Sequence, residues 1–295
     1  MPLFRERDIG RLKVEAAAEA LVELVPTVAV QCRPQRLETG IGLGELRDAA
    51  LTLGCLDSQA ARLELAGRCG LVRAPWIDGG TGSWNGEIRV YLDPDGPCYG
   101  CGQEPAARAF TDVPQHCGID ASGPPVGAAA PLAAAVGAHI ALLAVRYLMR
   151  LEVPGGLRVL DGVSGTVTHV RQERDPSCPY HRPLAAARRI PLEPSQRLRE
   201  LLEFLGPEQM PLAWNPVQLR VECSRCGFAE ERPGLVEAAD CPRCAARLRS
   251  RTTLELSRAP LDMTLAQLGI PAQEILACRG KNCLSFVELT EMEAI

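Results

Sequence analysis

The alternation of apolar and polar positions divides the chain into short elements. GRLKVEAAAEALVELVP (10–26) repeats its apolar positions at helical spacing and predicts an amphipathic helix ended by Pro26. TVAVQC (27–32) reads as a strand, LGELRDAA as a short helix, and LTLGCLD as a buried strand whose end carries Asp57. SQAARLELAGRCG predicts a helix with Ser58 as its N-cap. APWID and GEIRVYLD, the latter alternating, read as two further strands. Strands and helices that alternate through the first 90 residues argue for a largely parallel α/β sheet. Gly102 to Val126 is loop-like, and 127–152 is one long apolar helix. LRVLDG and GTVTHVRQ then form a hairpin. After Pro183 the character changes: a helix (PSQRLRELLEFLG), a cysteine-rich segment, a short helix (TLAQLG) and edge strands form a separate module. Two glycine clusters interrupt the pattern. GIGLGE (40–45) lacks the full phosphate-cradling spacing and reads as a loop, whereas DGGTGSWNGE (78–87) joins two strands.

Thirteen cysteines add chemistry to this outline. Cys98-Tyr99-Gly100-Cys101 and Cys178-Pro179-Tyr180-His181 are ligand pairs of the spacing that grips one side of a tetrahedral zinc ion. Seventy-six residues separate them, so a shared metal would staple distant parts of one domain. Cys223, Cys226, Cys241 and Cys244 form two more pairs, with 14 residues between, which is a compact zinc-ribbon spacing. Disulfides are the alternative. The charged start MPLFRERDIGRLK has no apolar core of a secretory signal, which points to a reducing, cytoplasmic compartment where paired cysteines hold metal. Cys32, Cys55 and Cys69 lie in apolar patterns and read as core residues; Cys278 and Cys283 could pair, but no third metal set is visible.

The net charge of −4 gives no reason to expect nucleic-acid binding, and Arg247, Arg249 and Arg251 after the ribbon read as a solvated face. Ala121 to Val145 carries no formal charge and must be weighed as a membrane span. Its alanines, glycines and prolines, with His139, favour a buried helix and no membrane association.

Several segments together resemble the E1-like superfamily of ThiF, MoeB and HesA. DIGRLKVEAAAEAL is similar to the family's D-V-G-x-x-K-x-x-x-A, and GCLDSQAAR to its D-C-T-D-N-x-x-x-R. PWIDGGTGSWNGEIRVY resembles P-x-x-x-G-x-x-x-x-x-G-x-x-x-V; PCYGC and DPSCPYH resemble the two zinc half-sites. The resemblance covers about residues 5–183. It implies a partial Rossmann-like E1-type domain over 1–183 with a mostly parallel sheet, followed by a 184–295 extension holding the ribbon (223–244).

Such proteins adenylate the C-terminal glycine of ubiquitin-like or sulfur-carrier proteins. Carried over residue by residue, Lys13 becomes an ATP-contacting lysine, Asp57 the aspartate that holds Mg²⁺, and Arg62 the following arginine. The alternatives are a solvated helix lysine at 13 and a helix-capping carboxylate at 57. Cys117, in the loop before the apolar helix and in no metal pair, becomes the candidate nucleophile for thioester or sulfur transfer, with an unremarkable loop cysteine as its alternative. His116 beside it is a poor base, because adjacent residues seldom face each other.

The sequence also departs from the family. The G-x-G-G-x-G loop that takes nucleotide phosphates does not occur in it, nor does the N-x-x-R-Q segment. Met1 aligns just after that arginine. A misassigned start, a non-adenylating scaffold, and a second chain that supplies the missing half all remain open. Gly54 and Leu56 replace the first Asp and the Thr of D-C-T-D-N, Ser58 replaces the Asn, and His181 replaces the fourth zinc cysteine. Relatives pair through the sheet and the apolar helix, which implies a homodimer or a heterodimer with a fuller paralogue.

Overall fold

The computed structural model describes residues 4–103 and 129–291. Cys117, His116 and the start of the apolar helix near Gly127 lie outside the described residues. Two compact units divide the chain: Met1–Arg11 with Leu46–Pro183, and Leu12–Glu45 with Leu184–Ile295. Helix α1 (Lys13–Leu24), the single turn α2 (Leu37–Gly40) and the start of α3 (Leu43–Asp48) therefore group with the second unit.

In the first unit, β1 (Thr52–Gly54) leads into α4 (Gln59–Val72), then β2 (Trp76–Thr81) and β3 (Asn85–Tyr91). Helix α5 (Ala130–Leu148) and the hairpin β4 (Gly156–Asp161) and β5 (Val167–Val170) complete it. The strands form one sheet in the order β1-β2-β3-β4-β5. The α/β class is as expected, but the sheet is mixed rather than mostly parallel. Only β1 and β2 run parallel, in the register Gly54↔Asp78. The reason is connection length. α4 gives β1 and β2 the crossover that a parallel pair needs, whereas β2 and β3 are joined by three residues, which permits only a hairpin.

Ser58 caps α4 as its sequence suggested: its Oγ accepts from the Ala61 N–H at 3.2 Å. Arg73 ends the helix in the left-handed region at φ 58°. Along β2 the side chains alternate. Ile77 joins Ile88 and Val90 of β3 beneath Val136, Ile140 and Leu143 of α5. Trp76 and Asp78 face the other way, toward α4, where the Trp76 and Tyr91 rings lie 4.8 Å apart. Gly79 and Gly86 let α5 approach, since a Cβ at either would meet Ile140 or Val136. α5 is long and apolar enough to cross a bilayer, yet its inner face is core, with Val136 and Ile140 buried. Its outer face is exposed, Leu142, Val145 and Leu148 included.

Two expected elements differ. TVAVQC forms no strand: residues 27–31 are exposed and join no sheet among the described residues, so two alternating valines did not suffice. LTLGCLD yields only the three residues of β1, because it is the sheet's edge and Leu53 is 48% exposed.

The second unit has β6 (Arg188–Pro191), α6 (Leu198–Leu205), β7 (Met210–Glu222), β8 (Ala229–Gly234), β9 (Arg249–Glu255), β10 (Ile275–Arg279) and β11 (Leu284–Thr290). Its sheet order is β6-β11-β10-β7-β8, and β9 also pairs with β7. α6 buries Leu198, Leu201 and Leu205 at helical spacing against Leu256, Leu276 and Leu289. Glu274, 2% exposed, accepts from the N–H groups of Leu43 and Ile275. The GIGLGE glycines serve packing here. A Cβ on Gly42 would strike the Ala272 carbonyl, and Gly44 donates to the Gln273 carbonyl at 2.8 Å.

Candidate functional site

The two expected metal-ligand sets both assemble. Cys98 and Cys101 flank a tight turn that follows β3 after a six-residue connection, and Cys178 and His181 follow β5. Cys98 Sγ lies 3.8 Å from Cys101 Sγ and 3.6 Å from Cys178 Sγ; Cys101 Sγ lies 3.0 Å from His181 Nε2. A tetrahedron with arms of about 2.3 Å has an edge of about 3.8 Å, so the sulfur spacing fits one shared ion. It does not fit a disulfide, whose sulfurs stand about 2 Å apart. The half-sites are held together by close contacts. The Tyr180 ring packs on Gly67 and Gly100, and its carbonyl lies where a side chain at Gly70 would go. Burial drives the Cys98 thiol well above its usual range, while burial lowers His181 and keeps its imidazole neutral, as a ligand must be.

In the second unit Cys223, Cys226, Cys241 and Cys244 converge, with Cys223 Sγ 3.4 Å from Cys244 Sγ and Cys226 Sγ 3.5 Å from Cys241 Sγ. The local folding is a pair of knuckles. Cys223 donates to the Phe228 carbonyl and Cys241 to the Ala246 carbonyl; Gly227 and Ala245 take positive φ to turn the chain around each sulfur pair. The backbone N–H of Cys226 foremost, with that of Arg225, holds the Cys223 thiol down to about 6. Each set can hold one ion. Cys69 and Cys278 are instead core residues, with thiols pushed up by burial to about 12 and about 11. Cys278 and Cys283 form no disulfide.

The acidic and basic candidates divide differently. Lys13 opens α1, is exposed, and belongs to the second unit. Asp57 and Arg62 belong to the first, at the carboxyl ends of the parallel pair β1 and β2, the end where open α/β sheets take their ligands. Asp57 is exposed in the turn between β1 and α4. Arg62 is half-buried and points back beneath that turn: Nε donates to Asp78 Oδ2 at 3.0 Å and Nη2 to the Leu56 carbonyl at 2.5 Å. Gly80 makes room for it, since a Cβ there would lie 2.9 Å from Arg62 Nη2.

Asp78 is 2% exposed and stands opposite Arg89 across the β2–β3 pair. Arg89 donates to Glu87 at 2.7 Å, and its guanidinium lies 5.1 Å over the Tyr99 ring. Burial holds the Asp78 carboxyl above the usual carboxylate range, with Arg62 and Arg89 opposing it. These groups line a polar pocket of about 190 Å³ together with Thr81 and Asn85. Sequence reasoning missed Asp78, Glu87 and Arg89. The signal was present, in a lone Asp inside W-I-D and a lone Arg inside E-I-R-V-Y, each at an otherwise apolar strand position.

The chain is 30% identical over 181 residues to adenylyltransferase and sulfurtransferase MOCS3 of Drosophila yakuba, covering 60% of this chain but 38% of that protein. It is 29% identical over 184 residues to the sulfur carrier protein ThiS adenylyltransferase of Escherichia coli K12, covering 60% and 67%. The chain thus spans little more than a third of the fly protein. A crystal structure of E. coli MccB with ATP matches at a TM-score of 0.47 and 16% identity, over 60% of this chain and 53% of that one. The ThiF family model matches residues 1–180, from before α1 through the first metal half-site to Tyr180, more than half of all the residues present, and the chain belongs to the ThiF family.

Proposed function

We propose that this chain serves in the ATP-dependent adenylation of the C-terminus of a small sulfur-carrier or ubiquitin-like protein, with two structural zinc ions. The observation that carries the reading is the placement of Asp57. An exposed carboxylate stands at the carboxyl end of β1, on a turn held from below by Arg62, in a chain whose relatives include a sulfur-carrier adenylyltransferase.

In this reading Asp57 would hold Mg²⁺, and Mg²⁺-ATP would supply the electrophilic α-phosphorus that a carrier carboxylate attacks, the α–β bond breaking and pyrophosphate leaving. The chain's own contribution is electrostatic and positional. Arg62 has two of its guanidinium nitrogens committed to Asp78 and Leu56, so its charge stays fixed beside the turn. Cys117 would take the activated acyl group, with AMP leaving, in any later transfer of sulfur or thioester. The three thiolates and one imidazole of the first set, and the four thiolates of the ribbon, are donor sets suited to zinc. The outer face of α5, with Leu142, Val145 and Leu148 exposed, is the surface we assign to pairing with a second copy or a paralogue. A reducing cytoplasm is the compartment in which such thiolate sites persist.

Carrier-dependent exchange of pyrophosphate into ATP tests the reading. Exchange should require a carrier ending in glycine and should be lost in Asp57→Ala. Exchange that survives Asp57→Ala unchanged would overturn the role of that residue.

A further inference from the structure

Gly54 and Asp78 are register partners on β1 and β2. A Cβ built on Gly54 would lie 2.9 Å from Asp78 Oδ1, with Leu65 and Trp76 closing the remaining space. That oxygen is fully buried and has no hydrogen-bond partner among the described residues, while its twin Oδ2 holds Arg62. The place a side chain at position 54 would take is thus already filled by a carboxylate from the neighbouring strand.

We infer that Asp78 is a positioning residue whose carboxylate occupies the space left free by the missing side chain of Gly54 on the adjacent strand. Its effect passes through Arg62. The buried carboxylate fixes the guanidinium, the guanidinium's second arm fixes the Leu56 carbonyl, and the Leu56–Ser58 turn then presents Asp57. Two glycines make this geometry possible: Gly54 clears space for Asp78, and Gly80 clears space for Arg62. A buried ion pair specifies geometry more than it adds stability, so loss of the Asp78 charge frees the Arg62 guanidinium and with it the Leu56 carbonyl. The consequence for Asp57 rests on the function proposed above, but the geometry does not.

The test is a carboxylate swap, read by hydrogen exchange of the peptide that spans 52–61 and by the protected Nε–H resonance of Arg62. Asp78→Asn keeps the shape and removes the charge. It should speed exchange of the 55–58 amides about tenfold and abolish the Arg62 signal, with both bound metal ions retained. Gly54→Asp alone places two carboxylates in one space and should do the same or worse. Gly54→Asp with Asp78→Ser should restore protection to within about twofold of the parent and bring the Arg62 signal back. Unchanged protection in Asp78→Asn overturns the inference, and this variant decides the matter even where the swapped chain fails to fold. A folded double variant no better than the worse single variant overturns it too. A wild-type chain that activates no carrier would instead sink the proposed function and leave the exchange data to decide the role of Asp78.

Discussion

Cys178→Ser removes one arm of the first metal site and so cuts a cross-link between residues 80 apart in sequence. A cross-link that closes a loop of that length restricts the unfolded chain by about 4–5 kcal/mol, by the loop-entropy relation for covalent bridges. The site also holds the Tyr180 segment against Gly67, Gly70 and Gly100, so its loss frees that contact as well. A unit of about 150 residues unfolds with an entropy near 0.3 kcal/mol per kelvin, which turns the loss into a fall in melting temperature of about 13–17 °C. The assay is thermal unfolding followed by near-ultraviolet circular dichroism, with Trp76 reporting on the first unit and Trp214 on the second. Metal content is measured on the same samples. Cys178→Ser should retain one ion per chain and lower only the first transition. Cys226→Ser should also retain one ion and spare that transition. A Cys178→Ser protein that melts within about 2 °C of the parent, against a parent with two bound ions, would refute the view that the first site staples the unit.

Further expectations follow from particular contacts. Gly79→Ala places a methyl against Ile140 and should destabilise the first unit by about 1–3 kcal/mol in urea unfolding, whereas Gly137→Ala, with open space around it, should not. Asp78 has a carboxyl raised in the folded state, so the native chain binds its proton more tightly than the unfolded one. Its contribution to stability is therefore greatest below the ordinary value of 3.8 and declines as pH rises through the folded value; Asp78→Asn should remove that slope from the stability–pH curve. Leu142→Glu with Val145→Glu on the exposed face of α5 should shift the chain toward monomer in light scattering without changing its metal content.

The elements that sequence displayed best were those whose pattern carried its own physics. Ser58 announced the start of α4 because a hydroxyl before a helix has a donor to satisfy, and α6 announced itself by three leucines on one face. The two clusters that can hold metal were legible because two-residue spacing around a turn has few other uses. Less legible was the direction of the sheet. Alternation of strands and helices suggested parallel pairing, but direction depends on loop length, and the short Gly82–Trp84 connection makes β2 and β3 antiparallel. TVAVQC failed because alternation supplies a face and not a partner. The Asp78–Arg62 pair was hidden for a different reason. It joins a strand to a helix 16 residues earlier, and what makes it possible is the absence of side chains at Gly54 and Gly80. Nothing local to either glycine marks it as space reserved for a charge.

Trapping of an activated carrier C-terminus decides whether this chain adenylates a carrier. The chain, a small carrier ending in glycine, Mg²⁺-ATP and hydroxylamine are incubated together, and the carrier's C-terminal peptide is weighed by mass spectrometry. Adenylation predicts a hydroxamate at the terminal glycine that requires both ATP and the chain and disappears with Asp57→Ala. A carrier that binds the chain yet keeps a free carboxylate under those conditions would contradict the account and mark the protein as a binding scaffold.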